Sequence, residues 1–210
     1  MNKLKYLAVL FTIAIAVLVT SSAQAITFNF TSDHLTGGAG TPPFGTVTLT
    51  QNGANVNFTV TLFDGSVFIK SGADGGGGYF VFNGTGVALG DITNINQNFT
   101  GFTLSAVSGT FHADGTGDWS FGITSNHGNG GSPPQYAGPI SFTVLNSTIA
   151  DFTVPNNGDN LFAADILSGQ TGNTGMIDVS RPGVPDGGAT VMLLGAALGA
   201  LGMVRRFLKC

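Results

Sequence analysis

From residue 46 the chain reads Thr46-Val47-Thr48-Leu49-Thr50-Gln51-Asn52-Gly53-Ala54-Asn55-Val56-Asn57-Phe58-Thr59-Val60-Thr61-Leu62. Polar and apolar residues alternate on both sides of Asn52-Gly53. A period of two marks a strand with one buried face. Asn-Gly between two such runs is a strong hairpin signal, because a type I′ turn needs positive φ at both central residues. The stretch predicts a hairpin that turns at Asn52-Gly53. Val47, Leu49, Val56, Phe58, Val60 and Leu62 should face a core, and the threonines and asparagines should face water.

Similar short runs recur on either side: Ile26–Thr31, Val67–Lys70, Tyr79–Phe82, Phe99–Leu104, Gly109–His112, Trp119–Thr124, Ile140–Leu145, Phe152–Val154 and Met176–Val179. Most of the 17 Phe fall inside them, and the 33 Gly punctuate them. There is no Glu and hardly any Lys, which argues against a helical domain. The expected fold is all-β: a single antiparallel β-sandwich or jelly-roll-like domain over residues 26–183. One helix is expected at Leu161–Leu167, capped by Asp159 or Asn160. Gly72–Gly78 and Asn126–Pro134 read as mobile loops, and Gly169–Gly175 as a turn.

Charge narrows the function. Between residues 26 and 183 ten Asp stand against Lys70 and Arg181, a net charge of −8 with His neutral. No basic patch is available to neutralise phosphates, so a nucleic-acid partner is excluded. The one Cys in the chain, Cys210, lies outside this region, so the domain must hold itself by packing without disulfides.

The chemistry-bearing residues are few. The three His are His34, His112 and His127. No Gly-x-Ser-x-Gly elbow and no His-Glu-x-x-His pair is present. A Ser/His/Asp triad assembled in space stays open, but an enzyme is not expected. Asp114 and Asp118 would suit glycoside hydrolysis as paired carboxylates, except that no Glu is available as the acid. The same segment is a calcium candidate, with Asp114, Thr116 and Asp118 placing oxygens at alternate positions in a Gly-rich wrap. A plain hairpin turn is the competing reading. No other cofactor is implied. Carbohydrate binding would use exposed aromatics, for which Trp119, Tyr79 and Tyr136 are candidates. Trp119, beside Phe121, fits a core better, whereas Tyr136, after Pro133-Pro134, is the one expected at the surface.

Both ends read as addresses. Lys3 and Lys5, the apolar stretch Leu7–Val19 and Ser22-Ala23-Gln24-Ala25 form a signal peptide over residues 1–25. Cleavage is expected between Ala25 and Ile26, with Ala23 and Ala25 as the small residues of the A-x-A site. This implies export machinery and a signal peptidase as partners. At the other end, residues 184–210 have three parts. Val184-Pro185-Asp186-Gly187-Gly188 is an extended, sterically open motif. Ala189–Val204 is free of charge and as a helix would span about 24 Å, near the thickness of a bilayer core. Residues 205–210 bring Arg205, Arg206 and Lys209, a stop-transfer cluster placed in the cytoplasm by the positive-inside rule. A transmembrane helix over residues 189–204 is expected.

On these residues the tail resembles the sorting signals of exosortase substrates, the PEP-CTERM class, in the variant whose motif reads Val-Pro-Asp-Ser-Gly. Val184, Pro185, Asp186 and Gly188 match it, and Gly187 stands for Ser. The resemblance implies recognition and cleavage by an exosortase in a Gram-negative bacterium that makes exopolysaccharide. It also implies a precursor anchored in the inner membrane, then release to the cell surface or extracellular matrix. The middle of the chain is similar to ectodomains found ahead of such tails, through its Thr-rich hairpin, Gly138-Pro139-Ile140-Ser141-Phe142-Thr143-Val144 and Phe162-Ala163-Ala164-Asp165-Ile166. The expected role is non-catalytic and structural or interactive at the cell surface or in the matrix. A carbohydrate-binding module and a secreted hydrolase are the alternatives.

Overall fold

The computed structural model describes residues 24–97, 102–126 and 135–179. The sorting motif, the apolar run, the basic tail, His127 and residues 1–23 of the signal peptide lie outside them. Twelve strands, all paired antiparallel, and two short 3-10 helices form the described chain. Among the described residues no helix is long and apolar enough to cross a membrane.

One sheet contains β1 (Ala25–Phe30), β3 (Gly45–Asn52), β4 (Asn55–Leu62), β10 (Ile140–Val144) and β7 (Ile92–Thr93), in that order. The second runs β2 (Ser32–Asp33), β12 (Thr174–Asp178), β11 (Phe162–Leu167), β6 (Phe80–Phe82), β9 (Gly117–Ser125), β8 (Leu104–Ala113), with β5 (Val67–Phe68) also paired to β11. Phenylalanines join the two sheets. The Phe58 ring lies 4.6 Å from Phe142 in its own sheet and 5.4 Å from Phe82 in the other. Phe28 and Phe162 meet across the gap at 5.3 Å. These sheets therefore pack face to face over an aromatic core, with each ring contributing burial and edge or stacking contacts.

The β3–β4 hairpin buries the six residues expected of it, pairing Leu49 with Phe58 and Val47 with Val60. Its turn sits one residue later than Asn52-Gly53. Asn52 pairs with Asn55, leaving Gly53 and Ala54 as the central residues. Gly53 has φ 60°, and Ala54 is not among the residues with positive φ. Gly first and an ordinary residue second is the pattern of a type II′ turn, the other two-residue turn whose twist suits a hairpin.

Two further expectations are corrected. Leu161–Leu167 is not a helix: Phe162–Leu167 is β11, held between β12 and β6. Phe162, Ala164 and Ile166 face the aromatic core, while Ala163 joins Val81, Met176, Ala113 and Trp119 in a second apolar cluster. A strand covered on both faces loses its alternation, and Phe-Ala-Ala-Asp-Ile-Leu then looks helical. Phe152–Val154 is not a strand either. A 3-10 helix, Ile149–Phe152, takes its place, and the Asp151 carboxyl accepts from Thr148 N at 2.7 Å and Thr148 Oγ1 at 3.0 Å. Such local side-chain bonds offer the backbone an alternative to a sheet ladder.

Candidate functional site

The polar groups with the most unusual surroundings lie on the outer face of the larger sheet. After β5 the chain Lys70-Ser71-Gly72-Ala73-Asp74-Gly75-Gly76-Gly77-Gly78 crosses over Asp165 of β11. Ser71 N donates to Asp165 Oδ2 at 2.7 Å, and Ser71 Oγ donates to both carboxyl oxygens at 2.8 Å. Ile69 N donates to the Asp165 carbonyl at 3.0 Å. Asp74 Oδ2 accepts from Gly78 N at 2.6 Å, and Asp114 N donates to Ala73 O at 2.7 Å. The close fit explains the glycines. A Cβ on Gly75 would come within 2.5 Å of His112 O, and one on Gly78 within 2.5 Å of Thr124 Cβ. Asp74 and Asp165 are both fully buried, and Asp74 Oδ1 has no hydrogen-bond partner among the described residues. Burial pushes the Asp165 carboxyl up to about 7, against the Ser71 hydrogen bonds and helped by the negative charges of Asp74 and Asp114.

At the end of β12, Asp178 is buried and bonded through Oδ2 to His34 Nε2 at 2.6 Å. Burial raises this carboxyl, and the His34 hydrogen bond opposes the shift. The other ring nitrogen of His34 faces Gly115, where a Cβ would stand 2.3 Å from Nδ1.

Asp114, Thr116 and Asp118 lie in and beside the β8–β9 turn, and the Thr116 and Asp118 side-chain oxygens are engaged with other partners. Asp114 is exposed. Thr116 is buried, and its hydroxyl donates to Ala113 O at 3.2 Å while accepting from Trp119 Nε1 at 3.0 Å. The Asp118 carboxyl contacts His112 Nδ1 through Oδ1 and accepts from Asn157 Nδ2 at 2.9 Å through Oδ2. Among the described residues no three His, Cys, Asp or Glu gather as a metal site. The hydroxyl counted on for calcium is engaged in the core instead.

The aromatic candidates are also turned inward. Trp119 is 1% exposed, as its neighbourhood in the sequence suggests, and Tyr79 is fully buried. Tyr136 is 7% exposed, which corrects the expectation that it stands at the surface. It bridges to Phe68, stacks on that ring at 6.0 Å, and donates its hydroxyl to Pro139 O. None of the three rings offers a face to a sugar. A groove of about 450 Å³ opens between the edge strands β7 and β8; Leu89, Ile92, Ile95, Leu104 and Ala106 share its lining with Thr93, Asn94, Gln97 and Ser105, with no carboxylate or imidazole. A smaller recess of about 150 Å³ contains one carboxylate, Asp151.

Ala25 and Ile26, expected to flank the signal-peptide cleavage point, are the first residues of β1, paired with Thr50 and Leu49. Nothing in the sequence pairs Asp165 with Ser71 or Asp178 with His34. An Asp inside the apolar run Ala163–Leu167 was the available signal for the first of them.

Known proteins match the chain in one place. Residues 183–207 fit the model of the VPDSG-CTERM motif. The chain carries a VPDSG-CTERM sorting signal. This is a variant of the PEP-CTERM type, and the fit spans the motif, the apolar run and both arginines. Gly187 in place of Ser does not prevent the match. No curated protein and no solved structure matches the chain significantly. The VPDSG-CTERM segment is therefore the functional element with a family assignment, and the β domain ahead of it stands on its own geometry.

Proposed function

We propose that this chain is an exported protein of the cell surface or exopolysaccharide matrix, cleaved at its VPDSG-CTERM segment by an exosortase. Its β domain acts as a non-catalytic structural or interaction module. The match at residues 183–207 carries the reading. Val184–Gly188 provide the recognition site, Ala189–Val204 hold the precursor in the inner membrane, and Arg205, Arg206 and Lys209 fix its orientation.

The domain's geometry supports a non-catalytic role. The Asp165 carboxyl is sealed beneath a backbone strap, and the groove between β7 and β8 has no titratable lining residue. The exposed His112–Asp118 pair lines neither this groove nor the smaller recess, which argues against the enclosed acid–base pair that hydrolysis needs. The test is to replace Val184-Pro185-Asp186 by alanines in the producing cell. The altered chain should stay in the membrane fraction as precursor, while the native chain leaves it. Equal release of both would refute sorting through this segment.

A further inference from the structure

Four Asn-Gly pairs occur in the chain: Asn52-Gly53, Asn83-Gly84, Asn129-Gly130 and Asn157-Gly158. This dipeptide carries a reaction of its own. The backbone nitrogen of the glycine attacks the side-chain amide of the asparagine, and a residue without Cβ leaves that approach open. Asn129-Gly130 lies outside the described residues. In the other three pairs the fold treats the reacting groups differently.

Two of these amides are held. Asn83 donates from Nδ2 to Asp118 O at 3.3 Å and accepts at Oδ1 from Ser120 N at 2.7 Å. Its neighbour Gly84 is packed so closely that a Cβ there would stand 2.9 Å from Phe152 Cε1. Asn157 accepts at Oδ1 from Asp118 N at 2.8 Å and donates from Nδ2 to Asp118 Oδ2 at 2.9 Å. The Gly158 N–H, the nucleophile of that pair, is itself engaged, donating to Asn156 Oδ1 at 2.9 Å. Asn52 is different. It is exposed, its side chain makes no hydrogen bond among the described residues, and a Cβ on Gly53 would meet nothing within 4 Å.

We propose that Asn52, at the tip of the β3–β4 hairpin, is a site of spontaneous deamidation, singled out because the fold protects Asn83 and Asn157 and leaves Asn52 free. The Gly53 N–H gives its proton to solvent base, and the nitrogen bonds to Asn52 Cγ. The Cγ–Nδ2 bond breaks, and ammonia leaves with a proton taken from water. Water then opens the cyclic imide at either carbonyl, leaving aspartate or isoaspartate at position 52. Water is the one co-reactant, and nothing is oxidised or reduced. Isoaspartate adds a carbon to the main chain beside Gly53, whose carbonyl accepts from Gln51 Nε2 at 3.0 Å. The same Gln51 nitrogen donates to Asn55 O at 3.1 Å and to Ser147 O at 3.0 Å. The modification therefore acts on the contact that ties the hairpin tip to the chain ahead of the 3-10 helix Ile149–Phe152.

Incubating the protein recovered from its producing cells in mildly alkaline buffer, and mapping its peptides by mass, tests this. Conversion at Asn52 should outpace conversion at Asn83 and at Asn157 by at least about tenfold, since two hydrogen bonds must break before either of those amides reacts. In concentrated urea the three rates should converge, because only the shared Asn-Gly sequence then acts. No conversion at Asn52, or conversion at Asn83 or Asn157 as fast as at Asn52 in the folded protein, overturns the proposal. So does a gap that survives in urea, which would place its cause in local sequence instead of in the fold. The isoaspartyl form, separated by ion exchange, should melt below the unconverted protein. Equal melting would overturn the effect on the Gln51 contact.

Discussion

Ser71 and Asp165 are locked together by three contacts: Ser71 N reaches Asp165 Oδ2 at 2.7 Å, and Ser71 Oγ reaches both oxygens at 2.8 Å. The contact fastens the glycine-rich strap to β11. It also fixes a sign for pH dependence. The Asp165 carboxyl lies near 7 in the folded chain against 3.8 ordinarily. Between those values the folded state holds a proton that the unfolded state has released. Stability is therefore greatest at the acid side of this window and falls as pH rises, by about 4 kcal/mol at most, levelling above about 7. Asp165→Asn should flatten that slope in thermal melts across the window. An unchanged slope in the variant would move its origin to another group.

The hairpin turn makes a sharper prediction. Gly53 has φ 60°, and a Cβ there meets nothing within 4 Å, so Gly53→Ala is penalised through backbone conformation alone. The expected loss is about 1–2 kcal/mol. Asn52→Ala should cost less, because Asn52 is a strand residue paired with Asn55 and has no positive φ. Chemical denaturation of the two variants checks the order. The reverse order would restore a turn centred on Asn52-Gly53.

Phe58 is the hub of the core. It meets Phe142, Phe152, Phe82 and Phe162, with ring centroids between 4.6 and 6.1 Å. Phe58→Ala should cost about 3–5 kcal/mol, as expected for a large buried ring lost from a packed interior. Phe58→Leu should lose markedly less. Equal losses would mean that the site collapses around whatever side chain it receives.

At the β8–β9 turn, Thr116→Val removes the acceptor of Trp119 Nε1 while preserving shape. A buried donor left unpaired costs about 1–3 kcal/mol. With the Thr116 hydroxyl engaged in this way, millimolar calcium should leave the native melting temperature unchanged. A calcium-dependent rise abolished by Asp118→Asn would establish the turn as a cation site after all.

The parts of the fold that could be read in the sequence are those with one wet face. Val47, Leu49, Val56, Phe58, Val60 and Leu62 alternate with polar residues because β3 and β4 are buried on one side only. β11 is illegible for the opposite reason: its outward residues, Ala163 and Asp165, lie under cover, so wet and dry positions do not alternate along it. Tyr136 reads as a surface residue because Pro133-Pro134 signals a connection, yet the bridge to Phe68 holds the ring inward. The Asp165–Ser71 and Asp178–His34 contacts join residues 94 and 144 positions apart, a proximity created only by the sheet order. The VPDSG-CTERM segment was legible because recognition there depends on local sequence, without any fold to decode.

The most direct test of sorting is the intact mass of the protein recovered from the surface or matrix of its own cells, with both ends mapped by peptide analysis. The expected chain starts at Ile26 and ends within Val184–Gly188, with or without an added group. A chain recovered from the membrane and still extending to Cys210 would contradict processing at this segment.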